Sequence, residues 1–154
     1  MSDLNVLIER LNHVMSWELA GSIQYLHHAT VLRGVHRAAY APLFEASSRQ
    51  ARDRAQAVAE RVAALGGVPT TQPARVRIAG GVEDMLEAAL ALQEDALEAW
   101  ESAYELAGLA NPGTQFWTEE RVAQQQSQVD ALRKMTGRVH IHALDGPSGS
   151  ASGE

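Results

Sequence analysis

Cysteine is absent from the 154-residue chain, and with it go disulfides, thiolate zinc sites and cysteine-held iron–sulfur clusters. Proline is rare, at 5 residues, while hydrophobic residues reach 45%; a chain of that composition folds rather than staying disordered. Positive charge is in deficit: 13 Lys and Arg stand against 19 Asp and Glu, for a net charge of −6. No concentrated basic face is available for a phosphate backbone, so nucleic acid is not an expected partner. No apolar run approaches the roughly 18 residues that a membrane span requires, so no membrane association is expected. The opening "MSDLNVLIERLN" enters an amphipathic pattern without a basic leader and apolar stretch, so no secretion signal is expected and the cytoplasm is the expected location. The length suits one domain with a substantial core and is short for two.

What the chain does contain is helical periodicity, in four segments. The first, Asn5 to Leu32, repeats every seven residues on two adjoining lines: Leu4, Leu11, Glu18, Tyr25, Leu32 and Leu7, Val14, Gly21, His28. Asp3 or Asn5 is the expected cap, and Gly34 the expected end. "RGVHRAAYAP" (33–42) reads as a connection. The second segment, "LFEASSRQARDRAQAVAERVAALGGVP", carries Phe44, Ser47, Ala51, Arg54, Val58, Val62 and Leu65 on one face. Its Gly pair offers a left-handed cap before Pro69. The third, "GVEDMLEAALALQEDALEAWESAYELA", has acids in its first turn and Leu86, Leu90, Leu97, Trp100, Tyr104 and Ala107 at helical spacing. "GLANPG" is expected to break it. The fourth, Thr114 to Met135, presents Val122, Gln125, Val129 and Leu132, with Arg121, Gln128 and Met135 adjoining; "WTEER" offers a capping box at Thr118.

About 15 residues separate helices two and three, against about 2 to 8 in a tight helical hairpin. A loop of that length spans the height of a bundle and places those two helices parallel. The expected fold is therefore all-α, a ferritin-like four-helix bundle with one long crossover between helices two and three. Residues 1–137 form the bundle in this reading. Residues 138–154, ending in "DGPSGSASGE", form a flexible C-terminal tail.

The inward stripe is unusual at mid-height. It contains Glu18 from helix one, Arg54 from helix two, Glu94 from helix three, and Gln125 with Gln128 from helix four. Glu94 lies four after Leu90 and three before Leu97, which places it inward. A single such Glu is commonly an edge residue reaching solvent, but polar residues in one layer of all four helices point to a buried polar site. A buried charge needs a partner, and Arg54 can supply one to both carboxylates.

"WELAGSIQYLHHA", "AERVAALGGVP", "VEDMLEAALALQEDALEAW" and "QQQSQVDAL" resemble bacterioferritins and, more broadly, the ferritin-like di-iron superfamily, over residues 5 to about 135. The resemblance implies an iron site built from one Glu on helix one, Glu-x-x-His on helix two, one Glu on helix three and Glu-x-x-His on helix four. Carried onto this chain, those positions fall on Glu18, on Ala51 and Arg54, on Glu94, and on Gln125 and Gln128. The methionine that ligates haem in bacterioferritins falls on Arg52, which cannot coordinate iron. The segment "GRVHIHALDGPSGSASGE" resembles neither the end of that family's fourth helix nor its fifth. With two carboxylates, no matching imidazole and a guanidinium that stays protonated, the expectation is a degenerate site without metal, haem or other cofactor. Arg54 is then expected to bridge Glu18 and Glu94. The resemblance further implies a dimer paired along helices one and two, where Met15, Trp17, Leu19 and Leu26 lie off the inward lines.

Two smaller sites remain. Tyr25, Arg54, Glu94, Gln125 and Gln128 can line a pocket for an anion or small polar molecule, in volume that Ala51 leaves free. His140 and His142 lie on one side of an extended "VHIH" and form a two-ligand surface site for copper, nickel or zinc. His28 is expected to be a hydrogen-bonded structural residue. The leading function is a non-catalytic bacterioferritin-like protein, without ferroxidase activity, acting structurally or by partner binding in a homo-oligomer that is at least a dimer. One alternative is an enzyme or sensor for a small polar or anionic ligand in the vacated iron site. Another is an accessory subunit of a mixed iron-storage shell, partnered by an intact ferritin-like paralogue.

Overall fold

The computed structural model describes residues 2–138. They form four long helices: α1 (Asp3–Val31), α2 (Arg37–Ala64), α3 (Val82–Ala110) and α4 (Pro112–Met135). Both heptad lines of α1 are buried from Leu7 through Leu32, and only Leu4, in the first turn, is exposed. The cap is Ser2 rather than Asp3 or Asn5, its hydroxyl accepting from the Asn5 amide at 3.2 Å.

The second helix begins earlier than the sequence predicts, at Arg37, which brings Pro42 inside it. Proline forfeits one intrahelical bond, but two local features favour the early start. Ala38, Ala39 and Ala41 are strong helix formers. The Arg37 guanidinium donates to the carbonyls of Ala29 and Leu32 at 2.9 and 2.8 Å, closing the end of α1 and fixing the start of α2. At its other end α2 stops as expected. Gly66 takes φ +85°, the Gly67 amide reaches back to the Val62 carbonyl at 2.9 Å, and Gly66 N–H reaches Ala63 at 3.0 Å. This paired arrangement uses the one conformation glycine tolerates and other residues resist.

The crossover then climbs the outside of α1. The Asn12 side chain donates to the Val68 carbonyl at 3.0 Å and accepts from the Thr70 amide at 2.8 Å. Higher up, Ala74 N–H bonds the Ser16 carbonyl at 2.8 Å, Arg77 N–H the Gln24 amide oxygen at 2.9 Å, and Ala79 N–H His28 Nε2 at 3.1 Å. From Asn12 to His28 the strap rises about 24 Å, at about 1.5 Å per helical residue. It delivers the chain to the far end, where α3 starts parallel to α2. Midway, Arg77 pairs with Asp95 of α3 at 2.6 Å and lies over the Trp17 ring at 5.7 Å.

Helix α3 carries Glu83 and Asp84 in its first turn. It runs through Gly108 to Ala110, three residues past the expected break. Asn111 ends it and caps α4, accepting from the Thr114 amide at 2.9 Å, with Pro112 in the first turn. The capping box at Thr118 is therefore not used: Thr118 is buried inside the helix and its hydroxyl donates to the Thr114 and Gln115 carbonyls. After α4, Gly137 takes φ +70°. Arg138 makes a two-pronged pair with Glu87 of α3, at 2.9 and 3.3 Å. The remainder of the expected tail, with His140 and His142, lies outside the described residues. No described helix is long and apolar enough to cross a membrane.

The core has two apolar halves. One gathers Leu7, Leu11, Val14, Val58, Val62 and Trp100; the other gathers Tyr25, Phe44, Met85, Leu92, Val129 and Leu132. Glu18, Arg54, Gln93 and Gln125 lie in the polar layer between them.

Candidate functional site

Glu18 is held at mid-height on α1 because its line, Leu11–Glu18–Tyr25, is committed to the core on either side. It is 2% exposed. A carboxylate that dry needs donors, and it has two: Arg54 Nε reaches Oε2 at 2.8 Å, and Trp100 Nε1 reaches Oε1 at 3.2 Å. Arg54 sits one turn beyond Ala51 on α2, with its side chain 11% exposed. The volume expected beside Ala51 is closed by the helices themselves. Ala51 is fully buried against Gly21 of α1, so closely that a Cβ on Gly21 would stand 3.3 Å from that of Ala51.

On α3 the inward residue is Gln93, not Glu94. Glu94 is exposed, on a face shared with Glu87 and Arg138, and it makes no bond to Arg54. Both residues lie near the apolar stripe, but Gln93 falls on the seven-residue line Leu86–Gln93–Trp100–Ala107, whose other members are all buried. That line was the signal that distinguishes them. Arg54 therefore pairs with one carboxylate rather than bridging two, and Trp100 supplies the second donor that the sequence reading lacked.

The amides form a directed chain. Gln125 Nε2 donates to Gln93 Oε1 at 2.6 Å and to the Gln93 carbonyl at 2.9 Å. Gln93 Nε2 in turn donates to the Tyr25 hydroxyl oxygen at 3.1 Å. Burial raises the Tyr25 pKa above its ordinary value, outweighing the Gln93 hydrogen bond and Arg54, which lower it, while Glu18 adds to the rise. Tyr25 is thus a neutral phenol with its proton in place. One acceptor, Gln125 Oε1, is buried with no partner among the described residues.

Beside this layer α2 and α4 part. Farther down, Trp117 of α4 closes the seam, edge-on to Trp100 at 5.4 Å and flanked by Arg61 and Arg121 at 5.4 and 5.6 Å. Above it a cavity of about 190 Å³ remains, with Tyr25, Arg54, Gln93 and Gln128 on its polar side and Phe44 and Leu132 among its apolar walls. Of the expected pocket residues, Tyr25, Arg54 and Gln128 line it. Gln125 lies behind Gln93, and Glu94 is on the other side of the helix.

His28 is 1% exposed and accepts from the Ala79 amide, the structural role expected for it. Burial lowers its pKa, and neighbouring His27 lowers it further. Arg52 is exposed and bonds Gln56 along its own helix at 3.2 Å. Of the apolar residues assigned to an interface, Met15 is buried and Trp17 is packed against the core and the crossover, so neither is free. Leu26 is 58% exposed, and Ile23 beside it 45%.

The ferritin-like domain family matches residues 8–140, and the chain belongs to that family. Three solved structures are similar to it. A ferritin-like, diiron-carboxylate protein from Bacillus anthracis str. Ames is 31% identical with TM-score 0.83, over 88% of this chain and 99% of that one. A Rhodobacter capsulatus bacterioferritin, described with a metal-free dinuclear site and haem iron, is 23% identical with TM-score 0.79, over 87% and 85%. A dodecameric thioferritin from Bacteroides fragilis, related to bacterioferritin, is 21% identical with TM-score 0.77, over 88% and 86%. No curated protein sequence matches the chain.

The residues in the central layer do not fit a di-iron centre. They comprise one carboxylate, a guanidinium, a methyl group and three amides, in Glu18, Arg54, Ala51, Gln93, Gln125 and Gln128. Among the described residues no group of three or more His, Asp or Glu side chains converges to hold a metal ion. The carboxylate and the guanidinium already neutralise each other, so a divalent ion placed there meets a fixed positive charge.

Proposed function

We propose that this is a ferritin-like protein that has left iron chemistry, neither a ferroxidase nor a haem carrier, and that works as a structural or partner-binding subunit of a homo-oligomer. One observation carries the reading: the Arg54 guanidinium stands in the centre of the bundle, 2.8 Å from the one carboxylate of the layer. Assembly is supported by Ile23 and Leu26 on the outer side of α1, apolar residues that the fold leaves uncovered, with Leu19 of the expected interface partly buried against the core. The Bacteroides fragilis relative is described as a dodecamer.

The test pairs ferrous-iron oxidation with light scattering on the untagged chain. The expected results are oxidation no faster than buffer, no stoichiometric iron, and a mass of at least two chains. Two irons bound per subunit and released by Glu18→Gln would overturn the first half; a monomer at micromolar concentration would overturn the second. A second reading, a sensor or enzyme for a small ligand, is favoured by the cavity next to Arg54. The third, an accessory subunit of a mixed shell, calls for co-purification with an intact ferritin-like paralogue.

A further inference from the structure

The cavity between α2 and α4 has a chemical polarity fixed by the groups behind it. Glu18 occupies the Nε edge of Arg54, and among the described residues nothing accepts from the two Nη groups. They form the fork that matches a carboxylate. The amide chain Gln125–Gln93–Tyr25 runs in one direction, so the Tyr25 oxygen already accepts and its own proton is left to donate. Tyr25 and Arg54 both line the cavity, and both present donors to it. Among the described residues neither donor has an acceptor.

The remaining walls are mainly apolar, with Phe44, Leu86, Leu132 and Met135, and Ser47 and Gln50 of α2 add polar groups. An inorganic anion would satisfy the donors and leave those walls against water, whereas a purely apolar guest would leave the donors unpaired. An apolar cavity of about 150 Å³ holds benzene, so about 190 Å³ accommodates one ring or a short branched chain together with a carboxylate.

We propose that this cavity binds a small monocarboxylic acid with a compact apolar body, its carboxylate on the Arg54 Nη fork and the Tyr25 hydroxyl and its body against Phe44 and Leu132. The Glu18 charge lies on the opposite edge of the guanidinium, already paired, and Gln128 adds a further polar contact at the same wall. The proposal deepens the small-ligand reading above and rests on Arg54 standing where a metal would otherwise be held.

Isothermal titration of the full chain with phenylacetate tests it, alongside phenylacetamide, acetate and inorganic phosphate. The expected result is one saturable site per chain, with phenylacetate binding at least about tenfold more tightly than the amide, as a charge-assisted pair requires, and more tightly than acetate or phosphate. Arg54→Met should remove that preference. Because that variant strands Glu18, the pair E18Q/R54M and a separate Ala131→Trp are measured too. Ala131 is an exposed residue at the cavity wall, and an indole there blocks the cavity without touching the Glu18–Arg54 pair. A131W should keep its thermal melt and lose phenylacetate. Equal affinity for acid and amide, unchanged binding in A131W, or no binding of phenylacetate at roughly 10 mM, a very weak affinity, overturns the proposal. Ferrous iron is titrated in parallel: if iron binds at Glu18 the functional reading itself falls, and if neither binds only the carboxylate proposal falls.

Discussion

Replacing Arg54 by Met leaves Glu18 as a carboxylate 2% exposed whose only remaining donor among the described residues is Trp100 Nε1 at 3.2 Å. Breaking a buried ion pair from one side costs about 3–5 kcal/mol. The charge left behind is the drier member of the pair, so R54M should lie near the middle of that range, about 4 kcal/mol. The converse change is milder for a structural reason. In Glu18→Gln the amide oxygen replaces only one of the two carboxylate oxygens, so one of the donors Arg54 Nε and Trp100 Nε1 keeps its acceptor and the other faces the amide nitrogen. The guanidinium left behind faces the cavity, where water reaches it, and about 1–3 kcal/mol is expected. The double variant E18Q/R54M carries no buried charge and should sit about 1–2 kcal/mol below wild type. It is then about 2–3 kcal/mol more stable than R54M alone, a non-additive outcome of the kind contacting residues show. Urea denaturation near pH 7.5, at one fixed protomer concentration because assembly stabilises by mass action, gives all four values. If R54M melts within about 0.5 kcal/mol of wild type, the range of ordinary surface changes, Arg54 does not hold a buried partner. If the double variant is as unstable as R54M, the loss is one of packing rather than charge.

Two further outcomes follow from the strap. His28 accepts the Ala79 amide only while neutral, and its folded pKa is lowered; the unfolded chain therefore takes up the proton first. The contribution should be complete above about pH 6.5 and decline as pH falls below that value towards the folded pKa, by at most about 1.4 kcal/mol per pH unit. Urea melts between pH 7.5 and 5.5 should slope more steeply in wild type than in His28→Gln; parallel slopes refute the assignment. Asn12→Ala removes one donor and one acceptor from the loop, with an expected cost of about 1–2 kcal/mol and faster proteolysis between residues 68 and 74. Unchanged cleavage there would show that the lower end of the strap is held by something else.

Much of the fold was legible because α1 and α3 repeat their apolar residues strictly, and because the distance from Gly66 to Gly81 is too long for a hairpin. Arg54 and Glu18 were recoverable for the same reason: each lies on a line whose other members leave it nowhere to go. Glu94 was misplaced because α3 is apolar over a wide arc, so two neighbouring positions both fit a stripe made of Leu90 and Leu97, and a charged residue draws attention that Gln93 does not. Pro42 signalled a break that a tertiary contact, Arg37 on the end of α1, overrode. The strap acceptors Asn12 and Gln24 carried no sequence signal at all. Each is a single polar side chain whose partner is a backbone amide more than fifty residues away, and backbone amides have no side-chain identity to read.

The crossover has a consequence for how copies of this chain meet. A connection of this length between two antiparallel hairpins is a natural hinge: opened, it would let α3 and α4 of one molecule pack on α1 and α2 of another, giving an exchanged dimer with the same contacts as the closed monomer. Only the hinge itself distinguishes the two products. Here Asn12, Ser16, Gln24 and His28, all on α1, hold successive amides of the connection back against its own molecule. An exchanged dimer has to surrender those bonds twice over, once per hinge, with nothing gained elsewhere. The strap thus sets the chain's loyalty to itself, and leaves any assembly to surfaces such as Ile23 and Leu26 that the closed bundle presents ready-made.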